Sequence, residues 1–131
     1  MRSESLFEID GDLITIDAIL VGPRGRASVR LVVDTGSTLT TLVPGIAEAI
    51  GYTPADRVAR SVVRSAVAQE RGYIVCMSQL TALGFTLPDV RMNITDLGHD
   101  IDGLLGMNFL SDFNFEIRIA ERKILVEKLP R

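Results

Sequence analysis

The sequence predicts an all-β domain with one or two short helices. Apolar and polar residues alternate along most of the chain, and clusters of glycine and proline separate the alternating stretches. Alternation at period two marks strands with one buried face, and those clusters are turn chemistry. At 131 residues the chain fits one compact domain, residues 1–131, and leaves no room for a second. Hydrophobic residues at 47% suffice for a core, and no disordered block has to be set aside.

Taken in order, residues 13–21 place Ile14, Ile16, Ala18 and Leu20 on one strand face and Thr15 and Asp17 on the other. Gly22-Pro23-Arg24-Gly25 turns the chain. A second strand follows, with Ala27, Val29, Leu31 and Val33 opposite Ser28 and Arg30. This hairpin ends at Asp34. Residues 44–50 read as a short helix opened by Pro44 and closed by Gly51. Residues 58–64 and 71–80 read as two strands joined by a tip near residues 65–70. Gly84 starts a turn, and residues 90–94 form a short strand after Pro88. Residues 102–106, punctuated by glycine, lead into a short helix near residues 107–112. Residues 115–119 and 124–129 close the domain as a strand pair.

Composition excludes several functions. The net charge of −3 comes from 14 basic and 17 acidic residues mixed along the chain, so no basic stripe offers a nucleic-acid surface. No apolar run reaches the roughly 18 residues of a membrane span. The N-terminal residues are too acidic for a signal peptide. A cytoplasmic protein is expected, with a membrane anchor entering only if the sequence is a trimmed piece. The single cysteine, Cys76, forms no internal disulfide and reads as a core residue of an alternating strand. His99, the single histidine, reads as part of a surface turn; one His and one Cys supply neither an internal catalytic triad nor a zinc set. Asp96, Asp100 and Asp102 lack the glycine and glutamate spacing of a calcium loop. No metal and no cofactor are expected.

Two motifs carry chemistry. Asp34-Thr35-Gly36-Ser37 follows the apolar strand end Leu31-Val32-Val33, so a rigid element delivers a carboxylate into a loop. Gly36 permits a tight turn and close approach of another backbone, while Thr35 and Ser37 add hydroxyls. An Asp in such a turn also commonly caps its own loop. The second motif is Asp102-Gly103-Leu104-Leu105-Gly106-Met107-Asn108-Phe109-Leu110, which alone reads as a buried strand entering a helix.

In combination and order, these residues resemble the retropepsin-like aspartic proteases, especially the single-domain bacterial relatives of retroviral proteases. The resemblance runs from about residue 13 to about residue 129: a hairpin, Val32–Ser37, Thr40-Thr41-Leu42-Val43, a helix, a flap hairpin, Gly103–Leu110 and a closing strand pair. It implies a closed barrel with a flap, and an aspartic endopeptidase acting on peptide or protein. Asp34 would be catalytic, meeting its counterpart at the two-fold axis of a homodimer. Thr35 would lock the two loops and Gly36 would approach the substrate backbone. Gly103, Leu104, Leu105 and Gly106 would support the loop from below. Ser65, Ala66, Val67, Ala68 and Gln69 would form the flap. One Asp-Thr-Gly per chain supplies one carboxylate where amide hydrolysis needs two, so a lone subunit is expected to be inert. Ser37, where retroviral members usually carry alanine, is expected to donate to an outer carboxylate oxygen and lower the working pH.

The chain departs from the pattern at the flap tip, which has no glycine, and at its termini, which do not match interleaved terminal strands. A second reading is a catalytically weak or inactive dimeric peptide-binding or scaffold module of the same fold. Asp34-Thr35-Gly36-Ser37-Thr38 also looks like a phosphate-binding hairpin of actin-like and sugar-kinase ATPases, but 131 residues cannot build two closing lobes.

Overall fold

The structure, a computed structural model, describes residues 1–64, 69–98 and 100–130. His99 and the presumed flap residues Ser65, Ala66, Val67 and Ala68 lie outside the described residues. The strands are β1 (Arg2–Leu6), β2 (Glu8–Asp10), β3 (Leu13–Gly22), β4 (Gly25–Val33) and β5 (Thr40–Leu42). Helix α1 (Pro44–Ala49) and a 3-10 turn (Pro54–Asp56) follow. Then come β6 (Ala59–Arg64), β7 (Gln69–Ala82), β8 (Phe85–Ile94), β9 (Gly103–Leu105), α2 (Met107–Leu110), β10 (Phe113–Arg118) and β11 (Lys123–Lys128). The fold is all-β with two short α-helices, as the alternation predicts.

Two sheets hold the strands. β1, β11 and β10 form a three-stranded antiparallel sheet. The other eight run in the order β2-β3-β4-β9-β5-β8-β7-β6, and β3 also pairs with β7. Six strands therefore hydrogen-bond in a ring, β3-β4-β9-β5-β8-β7. Leu20, Leu31, Leu42, Met77, Leu80, Met92, Ile94 and Leu105 fill its interior without exposure to water. Phe113 joins the smaller sheet to this core, its ring 5.3 Å from Phe109 of α2 and 5.0 Å from Phe85 of β8.

The long strand β7 changes which side faces the core. Val75 and Met77 point inward, then Leu80 and Ala82 do; pairing with β8 skips Ser78 and Asp89 at this point and resumes in the same register. At the switch Asp89 adopts φ of 55°, and the Ser78 N–H donates to the Tyr52 hydroxyl at 3.0 Å. That hydroxyl donates onward to the Cys76 carbonyl, also at 3.0 Å. A strand of 14 residues spans roughly 45 Å, so it must bend to stay on a small core.

The structure corrects several sequence expectations. Cys76 is exposed rather than in the core, because its neighbours Val75 and Met77 occupy the inward positions. The strand expected at residues 90–94 begins at Phe85 and runs through Pro88. Thr15, on the face opposite Ile16 as expected, is itself buried, its hydroxyl directed to the Glu8 carbonyl of β2 at 3.4 Å. β1 and β2 were not foreseen.

Candidate active site

β4 carries the chain to Asp34, whose N–H donates to the Leu105 carbonyl at 3.0 Å. That bond extends the parallel β4–β9 ladder, in which Leu31, Val32 and Val33 pair with Gly103, Leu104 and Leu105. The half-buried carboxylate is thus fixed by two strands. The Gly36 N–H donates to Asp34 Oδ1 at 2.9 Å, and no described residue donates to Oδ2. A Cβ on Gly36 would stand 3.2 Å from Oδ1, tighter than ordinary contact, so glycine keeps the space beside the carboxylate open.

Ser37 does not reach the carboxylate. Its hydroxyl donates to the Leu39 carbonyl at 2.7 Å, a short local bond that uses its single proton. Thr35 is exposed, and its hydroxyl has no partner among the described residues.

Gly103–Gly106 lies directly against the Asp34 loop. A Cβ on Gly106 would come within 2.6 Å of Leu39 backbone carbon and 2.8 Å of the Ser37 carbonyl oxygen; one on Gly103 would meet the Thr41 carbonyl at 2.1 Å. Met107 and Asn108, opening α2, donate their N–H groups to the Ser37 and Thr38 carbonyls at 2.7 and 3.1 Å. Sequence reasoning gave no task to the Asn108 side chain. Its Oδ1 accepts from the Thr40 N–H at 2.8 Å and the Thr40 hydroxyl at 2.9 Å, while its Nδ2 donates to the Arg91 carbonyl at 2.7 Å. The Gly106 N–H donates to Thr40 Oγ1 at 3.1 Å, closing the network. The asparagine stands in the second motif, but its partners come from β5 and β8.

The presumed flap segment divides. Gln69 belongs to β7, its backbone opposite Arg64 of β6 in an antiparallel pair that runs back to Ala59 and Ile74. Tyr73 lies on this pair. Burial pushes its phenol above the ordinary value of 10.0, with Glu48 and then Asp56 adding to the effect, and its hydroxyl finds no partner among the described residues.

Asp34 thus stands at a strand end, held by a glycine N–H and backed by the Gly-Leu-Leu-Gly strand. The family described as aspartyl protease matches residues 19–109, and the chain belongs to that family. Among solved structures, a retropepsin-like aspartic protease from Rickettsia conorii matches with a TM-score of 0.73 at 19% identity, covering 96% of this chain and 91% of that one. The retroviral protease-like domain of Ddi1 from Leishmania major matches with a TM-score of 0.57 at 15% identity, covering 96% and 94%. The fold is retropepsin-like. No curated protein matches the chain in sequence. Among the described residues, no helix is long and apolar enough to cross a membrane.

Proposed function

We propose that the chain is an aspartic endopeptidase acting as a homodimer, with one Asp34 from each subunit at the shared two-fold axis. The observation that carries this reading is the Asp34 carboxylate itself, fixed between β4 and β9 and held on one oxygen by Gly36. The chain contains one Asp-Thr-Gly, so the second carboxylate has to come from a second copy. The exposed Thr35 hydroxyl, without a partner among the described residues, suits reciprocal bonding between two such loops. The β6–β7 pair would close over bound peptide as a flap. The single cysteine means that no disulfide is needed within a subunit, which agrees with a cytoplasmic setting.

Two carboxylates brought within hydrogen-bond distance cannot both ionise cheaply, so they hold one proton between them. The ionised partner takes a proton from water as oxygen attacks the peptide carbonyl carbon, and the protonated partner donates to the carbonyl oxygen. Collapse of the tetrahedral intermediate then breaks the C–N bond, with a proton delivered to the leaving nitrogen. Gly36 would lie beside the substrate backbone, where a side chain would obstruct it.

The test is cleavage of a mixed peptide library between pH 4 and 7, with Asp34→Asn as control. Cleavage lost in the variant supports the reading. A protein that captures peptides equally well with and without Asp34, and cleaves none, would instead be a binding module of this fold.

A further inference from the structure

The face of the large sheet turned away from the ring interior carries a neutral polar patch beside Asp34. Strand register places Val32, Leu104, Thr41, Asn93, Ile74 and Ala59 in one row across β4, β9, β5, β8, β7 and β6. The adjacent rows, containing Leu31, Leu42 and Ile94 or Leu105, Met92 and Val75, face the core. Val32 is buried yet stands outside that core cluster, as its position on the opposite face requires. Asp34 follows Val32 by two residues and continues the ladder, so its carboxylate shares this face.

Here Thr41 and Asn93 are 5% and 6% exposed, and the Ser61 hydroxyl of β6 is bonded to Asn93 Oδ1. Next to them Thr95, 3% exposed, has a buried hydroxyl with no partner among the described residues. Gly72 lies between: a Cβ there would stand 3.0 Å from both Ser61 Oγ and Thr95 Cβ. An unpartnered buried hydroxyl costs stability unless something supplies its bond. The Asn93 amide N–H groups are also without partners among the described residues.

Resting on the protease reading for the position of the scissile bond, we infer that Thr41, Asn93, Ser61 and Thr95 select substrate. The side chain they take, on a peptide residue flanking that bond, bears an uncharged amide or hydroxyl, as in Asn, Gln, Ser or Thr. Two strand spacings separate Val32 from Thr41, about 10 Å, and an extended peptide presents same-face side chains about every 7 Å. The patch therefore meets a residue near the cut. All four side chains are neutral, so a charged substrate group gains no ion pair there. The Asn93 amide offers donors to a substrate oxygen; the Thr41 hydroxyl, whose proton goes to the Leu39 carbonyl at 3.4 Å, accepts, and the Thr95 hydroxyl donates or accepts.

The experiment is residue-by-residue profiling of a randomised peptide library in two arms: cleavage by the native chain, and capture by Asp34→Asn. Both are repeated with Thr41→Val and Asn93→Leu, singly and together, with circular dichroism to verify folding. Enrichment of Asn, Gln, Ser or Thr at one position, falling about tenfold toward aliphatic residues in the double variant, is the expected result. Thr41→Val alone, nearly isosteric, should give part of that shift should the double variant fail to fold. Aliphatic preference at every position, a profile unmoved by the variants, or neither cleavage nor capture overturns the inference. Polar enrichment in the capture arm without any cleavage by the native chain retains it and removes the protease reading instead.

Discussion

Asn108 ties the Asp34 loop to the sheet behind it by three side-chain hydrogen bonds and one from its own N–H. Asn108→Ala leaves the Thr40 N–H, the Thr40 hydroxyl and the Arg91 carbonyl without that partner, an expected loss of about 2–3 kcal/mol in urea unfolding. Asn108→Asp keeps the acceptor and loses only the donor, so its cost should be smaller; equal costs would count against this account. Tyr73 is the opposite case, a buried hydroxyl that no described residue bonds. Tyr73→Phe should stabilise the protein by about 1 kcal/mol, since it removes an uncompensated polar group. The pH dependence carries a definite sign. The folded phenol titrates above its ordinary value of 10.0, so the native state holds its proton where the unfolded chain has lost it. Native stability is therefore complete below pH 10 and declines as pH rises through the folded value, and Tyr73→Phe should abolish that part of the alkaline loss. Melting curves at pH 8 and 11 for both proteins check both points.

At the scale of elements, the switch in β7 depends on one phenol from outside the sheet. The Tyr52 hydroxyl receives the Ser78 N–H and donates to the Cys76 carbonyl where the core-facing side changes. Tyr52→Phe should cost about 1–2 kcal/mol by chemical denaturation, with both backbone groups losing their partner. An unchanged midpoint would show that the bend holds without it. This switch also explains what the sequence concealed. Alternation at β3 and β4, and the two glycine-bounded motifs, were legible because each is local: pattern, turn and strand end lie within a few residues. Cys76 was misassigned because alternation extrapolated along β7 ignores a bend imposed by contacts distant in the chain. β1 escaped notice for a related reason. Arg-Ser-Glu-Ser-Leu carries one apolar residue, and it becomes a strand by pairing with β11 at the other end of the sequence. The Asn108 side-chain network was hidden likewise, since Thr40 and Arg91 converge on it only once β5 lies beside β8. Ser37 had an eligible acceptor two residues away, and the nearer carbonyl won over the carboxylate.

For the whole molecule, a site assembled from two copies has a stoichiometric consequence that a self-contained subunit lacks. If each active unit needs Asp34 from both chains, a subunit carrying Asp34→Asn should inactivate its partner as well as itself. In a mixture refolded together, with wild-type fraction f at constant total concentration, active dimers then follow the square of f. An equal mixture should retain about a quarter of the activity of pure wild type when the subunits exchange freely, whereas independently active monomers would retain about half. Activity should also rise faster than linearly on going from dilute to concentrated protein until the dimer is saturated, with sedimentation velocity reporting the same midpoint. Dilution alone does not discriminate, because a monomer that adsorbs or unfolds at low concentration imitates it. Mixing at fixed total concentration removes that ambiguity. A straight line against f, with a dimer present by sedimentation, would mean that each chain works alone and that the second carboxylate must be sought within it. A quadratic curve would place both halves of the acid–base pair in separate chains and make Asp34 the residue that each contributes.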